Sequence, residues 1–203
     1  MLRKTISSIV LMLAAFTSFA QEATDRFVRE GLLRAQSTIA TGAMFDPQLS
    51  NIYLHGSLEY YTDPSLSIRG DSYYFLKTLG DGYSIYFEKN HSTFAGASYH
   101  FKTNGNLDPY FAFQPGVAAS QVNYDVCPDS MLCYIGSTNS KLTLSPLLSG
   151  VLGFNYYAPK IFHLFLEARY VQGKHLSEAG SVSLNELKFS FGLGFNINVK
   201  KAH

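Results

Sequence analysis

Residues 187–199 read LKFSFGLGFNINV, and this stretch decides the fold. Every second side chain from Leu187 to Val199 is apolar, while lysine, serine, glycine and asparagine occupy the positions between them. A period of two residues indicates a β-strand whose two faces meet different surroundings. The alternation outlasts the roughly five to six residues of a strand in a soluble sheet, and a tilted strand needs about nine to eleven residues to cross a bilayer.

The same alternation recurs along the chain. In residues 162–170, His163, Glu167 and Arg169 alternate with apolar side chains, and Phe165 is the one apolar residue on the polar face. The pattern predicts eight strands in all, at about Leu33–Met44, Leu54–Tyr60, Leu66–Asp71, Thr93–Lys102, Tyr110–Gln121, Leu142–Tyr157, Phe162–Tyr170 and Leu187–Val199.

The predicted connections alternate between long and short. The short ones contain the turn-forming pairs Asp-Pro, Asn-Gly and Ala-Pro, at residues 62–65, 103–107 and 158–160. The long ones are residues 45–51, 79–91, 122–140 and 174–184. A barrel inserted into a membrane from one side has short turns at one end and long loops at the other. This order therefore predicts an all-β fold, an eight-stranded antiparallel up-and-down transmembrane β-barrel.

The main alternative fold is a soluble β-sandwich or lipocalin-like barrel, in which the apolar faces meet a dry core. The polar faces favour the membrane barrel, because they are rich in Gly, Ser, Asn and Ala rather than the Lys, Glu and Thr of a solvated sheet. Pro115 lies inside a predicted strand and predicts a β-bulge there. Aromatic residues near strand ends resemble membrane-interface girdles, at Tyr60, Tyr61, Tyr73, Tyr74, Phe75, Tyr99, Phe101, Tyr110, Phe111, Tyr156 and Tyr157.

Charge is sparse and nearly balanced. The chain carries 16 basic and 15 acidic residues, and 15% of its residues are charged against roughly 25% in an ordinary soluble domain. This balance excludes a nucleic-acid binder. The only uncharged apolar run long enough to be considered for a membrane helix lies at the N-terminus, which excludes a helical transmembrane bundle.

Residues 1–20 are predicted to be a cleaved signal peptide. A basic start at Arg3 and Lys4 precedes a short apolar run, and Ser18-Phe19-Ala20 provides the small-x-small cleavage signature. Residues 21–30 then form a short periplasmic segment, and residues 31–203 form the barrel domain. An N-terminal helix packed on the core is the alternative, but it would need a polar stripe that this apolar run does not show.

Three features carry a resemblance to a known family. They are the strand entry Leu107-Asp108-Pro109-Tyr110 with Gly116, the segment Phe165-Leu166-Glu167-Ala168-Arg169-Tyr170, and the alternating last strand. On these features residues 31–200 resemble the small outer-membrane barrels of Gram-negative bacteria, the OmpA/OmpX/OmpW-like group of outer membrane protein β-barrel domains. The resemblance implies localisation in the bacterial cell outer membrane, with both termini in the periplasm. Such proteins usually end on an aromatic residue, whereas this chain ends Val199-Lys200-Lys201-Ala202-His203.

The polar faces predict a network of charges inside the barrel. An eight-stranded barrel is only just wide enough for its own side chains, so charged side chains that point inward should pair. Structural packing and a narrow or gated ion path are both consistent with such a network. Its predicted members are Arg34, His55, Glu59, Arg69, Asp71, His100, His163, Glu167, Arg169 and Lys188.

The only two cysteines, Cys127 and Cys133, lie in the longest predicted loop. In an exported chain, two cysteines this close predict a local disulfide that stiffens the loop. The stretch offers too few ligands for a metal site, and the sequence predicts neither a metal nor a cofactor.

One stretch supports an enzyme hypothesis. His175 and Ser177 point to the same side of a strand end, and His beside Ser is the minimal pair of base and nucleophile, with Glu178 or Glu186 to orient the His. The segment from His175 to Gly180 is similar to the His-x-Ser-Asn-Ala/Gly-Gly motif of PagL-type lipid A deacylases, which are also eight-stranded barrels. Glu178 stands where that family has Asn.

The predicted function is non-catalytic: an integral outer-membrane protein of the cell envelope with a structural, surface-interaction or narrow-pore, porin-like role. The lipid A deacylase is the alternative. The predicted partners are outer-membrane lipid and lipopolysaccharide, the barrel-assembly machinery and an extracellular ligand at the long loops. The chain is expected to be a monomer that binds no nucleic acid.

Overall fold

The computed structural model describes residues 30–79, 85–103, 105–126, 136–158, 161–177 and 180–199. None of them forms a helix long and apolar enough to span a membrane. The ten strands are β1 (Leu32–Met44), β2 (Ser50–Asp63), β3 (Leu66–Leu79), β4 (Ile85–His100), β5 (Leu107–Val126), β6 (Gly136–Asn139), β7 (Thr143–Tyr157), β8 (Phe162–Ser177), β9 (Gly180–Ser183) and β10 (Glu186–Asn198). The predicted signal peptide and the predicted disulfide lie outside the described residues.

Eight of the strands close into an antiparallel barrel. Strands β1 to β5, β7, β8 and β10 follow one another around the wall, and β10 returns to pair with β1. This seam extends from the Leu32–Asn198 pair to the Met44–Glu186 pair. Closure leaves the wall with no edge strand, so the backbone of every wall strand has partners on both sides. The predicted eight-stranded antiparallel barrel is confirmed.

The barrel has two different ends. At the turn end, β1 begins, β10 ends, and short connections at residues 64–65, 101–106 and 158–161 join neighbouring strands. At the opposite end, called the hairpin end, β6 pairs with β5 and β9 pairs with β8 beyond the wall. Successive connections between wall strands therefore alternate between the two ends of the barrel. The predicted alternation of length is only partly confirmed, because the hairpin-end connections at 45–49 and 80–84 are no longer than the turn-end connection at 101–106.

The predicted boundaries of the long connections are wrong. The stretch predicted as a loop at 79–91 is largely strand, because β4 begins at Ile85. The loop predicted at 122–140 contains the end of β5 and all of β6, and the loop predicted at 174–184 contains the end of β8 and all of β9. Antiparallel pairing continues past the wall in both places because it supplies the backbone N–H and C=O groups with partners.

The β-bulge predicted at Pro115 is also wrong. On one side Pro115 pairs with Leu148 of β7 in an unbroken register. On the other side the pairs Phe94–Gly116 and Ala97–Phe113 keep the same register, and the shift in this ladder lies instead between Phe87 and Lys89. The missing N–H of proline is thus accommodated by a local gap in the pairing with β4 and not by an extra residue.

The two faces of the wall differ as the alternation predicts. The outer face is apolar, with exposed side chains such as Leu58, Ile68, Phe113, Leu152 and Phe191. Five of the eleven predicted girdle residues belong to the interior, because neighbouring residues in a strand point to opposite faces. The inward rings are those of Tyr61, Tyr73, Phe75, Tyr110 and Tyr157, while Tyr74, Tyr99, Phe101, Phe111 and Tyr156 point outward. Tyr60, next to the inward Tyr61, is half-buried.

The interior at the hairpin end is closed by apolar side chains. We call this cluster the apolar cap, and it consists of Met44, Leu49, Phe75, Phe87, Val122, Leu147, Val171, Val182 and Leu184, all buried. Val182 lies in β9 and Leu184 directly follows that strand. The hairpin of β8 and β9 therefore contributes to the apolar cap. Below the cap, the inward-facing side chains are mostly polar or charged.

Candidate functional site: the charged barrel interior

All ten predicted interior residues point inward, and each is at most 2% exposed. The structure connects eight of them through ion pairs: Arg34, Glu59, Arg69, Asp71, His100, Glu167, Arg169 and Lys188. His55 is a hydrogen-bond partner of Asp71, with Nε2 3.0 Å from Oδ1. His163 bonds instead to a neutral amide, since Gln36 Nε2 lies 2.8 Å from His163 Nε2. The ion pairs divide into two clusters and a separate pair, stacked along the barrel axis.

The middle tier consists of Arg69, Asp71, Glu167 and Arg169. Arg69 Nη2 lies 2.7 Å from Asp71 Oδ1 and also contacts the Glu167 carboxylate. Arg169 Nη2 lies 2.8 Å from Asp71 Oδ2 and 3.4 Å from Glu167 Oε1. Each guanidinium therefore touches both carboxylates, an arrangement that holds β3 and β8 together across the lumen.

The turn-end tier consists of Arg34, Glu59, His100 and Asp108. Arg34 pairs with Glu59, and its Nη1 lies 3.3 Å from Asp108 Oδ2. His100 bridges the same two acids, with Nδ1 2.9 Å from Asp108 Oδ1 and Nε2 2.9 Å from Glu59 Oε1. Because a carboxylate only accepts hydrogen bonds, this geometry fits an imidazole with a proton on each nitrogen.

The hairpin-end pair consists of Glu186 and Lys188, just below the apolar cap. Lys188 Nζ lies 3.4 Å from Glu186 Oε2 and 3.9 Å from the centre of the Tyr53 ring. The Tyr53 hydroxyl is 2.9 Å from both oxygens of Glu186, to which Asn51 also donates. A buried ammonium so close to an aromatic face gains cation–π attraction in addition to its ion pair.

Each tier balances its own charge. The middle tier and the hairpin-end pair have equal numbers of basic and acidic groups, and the turn-end tier is balanced when His100 carries both protons. Buried charges are tolerated only when they are paired and hydrogen-bonded. The interior is therefore a set of neutral layers that need no counter-ion from solution.

Sequence reasoning missed Asp108 and the inward tyrosines. Asp108 accepts hydrogen bonds from the Tyr61 and Tyr157 hydroxyl groups at 3.1 and 3.0 Å. The Tyr110 hydroxyl is 2.9 Å from Glu167 Oε2. The signal that could have found some of them is the period-two phase of each strand. Tyr61 lies two residues from Glu59 on β2, and Asp108 and Tyr110 lie an even number of residues from the polar Gln114 on β5.

Three buried side chains could in principle hold a metal ion. One potential ligand atom from each of His55, Asp71 and Glu167 lies within 4.8 Å of the others. Their oxygens are already bound by Arg69 and Arg169, whose positive charges oppose a cation. The donor set therefore fits a salt-bridge network better than a metal centre.

The structure does not bring His175 and Glu186 together. His175 is fully buried and its Nδ1 lies 2.8 Å from Ser120 Oγ. The carboxylate of Glu186 is bound to Tyr53, Asn51 and Lys188 instead. Ser177 ends β8, and its side chain, like Glu178, Cys127 and Cys133, lies outside the described part of the chain.

Comparisons with known proteins give matches only at the level of structure. No protein-family model and no curated protein sequence matches the chain. The outer membrane protein OprG from Pseudomonas aeruginosa matches with a TM-score of 0.67 and 16% identity, over 86% of this chain and 100% of OprG. Neisserial surface protein A matches with a TM-score of 0.59 and 18% identity, over 83% of this chain and 97% of that protein. Ail, the attachment invasion locus protein of Yersinia pestis, matches with a TM-score of 0.55 and 10% identity, over 83% and 99%.

At these identities the likeness concerns the fold. It agrees with the closed eight-stranded wall, the apolar outer face and the short turns at one end. In barrels of this fold, short turns are typical of the periplasmic end and longer loops of the extracellular end. The chain has the fold of the small eight-stranded β-barrel proteins of the bacterial outer membrane.

Proposed function

We propose that this outer-membrane barrel is a non-catalytic, non-conducting scaffold that anchors its extracellular hairpins in the membrane. The observation that carries the proposal is the filled lumen. Two charge-balanced tiers and the hairpin-end pair occupy the interior, and the apolar cap lies above them. The role is structural or surface-presenting, and not that of a pore.

The energetics of the interior support a closed lumen. An ion that crossed the barrel would have to separate Arg69 and Arg169 from their carboxylates and leave buried charges without partners. Removing one partner of a buried pair typically costs about 3–5 kcal/mol. The same ion would then have to pass the apolar cap, whose own side chains cannot replace the water of its hydration shell.

Conductance in planar lipid bilayers tests the proposal. The purified barrel, inserted in its folded form, is expected to give no steady current steps in potassium chloride, and an open porin added to the same bilayer serves as the positive control. Reproducible ohmic steps from the folded wild-type protein would overturn the non-conducting scaffold in favour of the narrow pore.

The lipid A deacylase alternative has its own test. If Ser177 were the nucleophile, Ser177→Ala would abolish release of an acyl chain while the barrel stayed folded. The scaffold proposal expects the same lipid A profile, by mass spectrometry, from cells that express the wild type, the variant or neither. A profile that changes with the wild type and not with Ser177→Ala would establish the hydrolase.

The partners that we propose follow from this role. The apolar outer face meets outer-membrane lipid and lipopolysaccharide, the barrel-assembly machinery inserts the chain, and the extracellular hairpins meet a ligand outside the cell. We expect a monomer, which light scattering in detergent measures directly. A stable dimer at micromolar concentration would contradict that part of the proposal.

A further inference from the structure

The outer wall carries one described groove of about 380 Å³ near the periplasmic side. A volume of this size lies within the range of small-molecule sites, roughly 300–1,000 Å³. Its lining is almost entirely apolar and comes from β5, β7, β8 and β10, through Pro109, Leu152, Phe154, Leu166, Ala168 and Phe189. Four neighbouring strands span about 14 Å at the usual strand spacing.

The groove exists because a small residue lies between large ones. Ala168 is paired with Leu152 on one side and with Phe189 on the other, so two long side chains overhang a methyl group. A concave strip of this kind offers more van der Waals contacts to a chain than the convex wall around it.

The periplasmic end of the groove has an aromatic wall and a positive charge. Phe101 lines the groove and packs against Tyr99 and Phe111, with ring centres 5.5 and 6.0 Å away. The backbone N–H of Phe101 donates to the carbonyl of Pro109 at 2.9 Å, which fixes the ring beside the groove. The next residue, Lys102, is exposed, and no ion pair to it occurs among the described side chains.

We propose that this groove holds one acyl chain of a phospholipid of the periplasmic leaflet, whose phosphate lies at Lys102. The apolar lining faces the hydrocarbon of the bilayer, where acyl chains are the available occupants. Lys102 directly follows Phe101, which lines the groove, and its ammonium group supplies the charge complementary to a phosphate. The proposal is independent of whether the lumen conducts, because the groove lies on the outside of the wall.

The absence of tryptophan from the chain gives a clean test. A single tryptophan is introduced by Phe189→Trp inside the groove, or by Phe195→Trp on the same strand, where the paired residues Ala35 and Phe162 do not line the groove. Each folded variant is titrated in detergent micelles with phosphatidylglycerol brominated on its acyl chain. Association in apolar surroundings depends on packing, so we expect half-maximal quenching for Phe189→Trp at a lipid fraction on the order of threefold lower than for Phe195→Trp. Equal quenching curves for the two variants would overturn the proposal.

Further substitutions separate the groove from the headgroup contact. Ala168→Phe fills the groove and should abolish the difference in quenching between the two tryptophan variants. Ala97→Phe, on the outer face of β4, should leave that difference unchanged. Lys102→Gln should weaken the preference for the phospholipid. A brominated fatty-acid methyl ester has the acyl chain but no phosphate, so it should prefer the groove less strongly than the phospholipid does. A preference equal to that of the phospholipid would overturn the role of Lys102. Retained mobility shifts on unboiled gels confirm that each variant is folded.

Discussion

Asp71 holds three other side chains of the interior together, because two guanidinium groups and an imidazole contact its carboxylate. Arg69 and Arg169 bind its two oxygens, and His55 Nε2 lies 3.0 Å from Oδ1. Because Asp71 is buried, each of these contacts depends on the negative charge that Asp71 provides.

Replacing Asp71 by asparagine should therefore destabilise the barrel strongly. Asp71→Asn leaves two arginines with one carboxylate, and we expect a loss of about 3–5 kcal/mol in the free energy of unfolding. Asp63→Asn is the matched control, because Asp63 is exposed in a turn and asparagine can accept the same hydrogen bond from the Ser65 N–H. Urea unfolding in lipid vesicles measures both, and equal stabilities would contradict the network.

Glycines of β7 provide a second test at the residue scale. A Cβ at Gly153 would lie 2.6 Å from Cε1 of Tyr110, which is held by Glu167 and Arg69, whereas a Cβ at Gly150 would meet nothing within 4 Å. Gly153→Ala should cost about 1–3 kcal/mol through overpacking. Gly150→Ala should change stability by less than about 0.5 kcal/mol. The same unfolding assay checks the pair, and a tolerated Gly153→Ala would show that Tyr110 can move.

At the scale of the element, the strands are longer than the membrane requires. β7 has 15 residues and β8 has 16, against about nine to eleven for a crossing. We expect the surplus to lie at the hairpin end, where the apolar cap fills the interior. A strand in this barrel would then contact lipid along one part and water along another.

This division predicts different costs for the same substitution on one strand. Leu152 and Leu144 both point outward on β7, about 26 Å apart along the strand, and are 66% and 72% exposed. Leu152→Arg lies in the apolar band and should cost about 2–4 kcal/mol, while Leu144→Arg should cost at most about 1 kcal/mol. Comparable losses at both positions, measured by unfolding in vesicles, would place the membrane band elsewhere.

At the scale of the whole molecule, the seam between β1 and β10 turns a sheet into a barrel. A closed wall resists dodecyl sulfate at room temperature because it has no edge at which unfolding begins. The wild-type protein should therefore migrate faster unboiled than boiled on a gel. A chain truncated before Glu186 lacks β10 and should show one mobility under both conditions. A wild type without the shift would contradict the closed barrel.

The sequence by itself determined the class of fold. Period-two alternation and the order of turns depend only on neighbouring residues, so they predicted eight strands, their antiparallel order and the two faces. Local patterns could not show where pairing would stop at the hairpin end, since β6 and β9 are stabilised by their partners β5 and β8. Local patterns also suggested that rings such as Tyr61 and Tyr110 belong to an interface girdle. The period-two phase of their strands would have placed both rings inside.

Only the tertiary structure decided which charges meet. Arg69 and Glu167 are 98 positions apart in sequence, and they touch because barrel closure brings β3 and β8 to opposite sides of one narrow lumen. The same closure made Asp108 part of the turn-end tier and separated His175 from Glu186. Alternation fixes the face on which a side chain lies, whereas its partner across the lumen depends on the register and curvature of the complete wall.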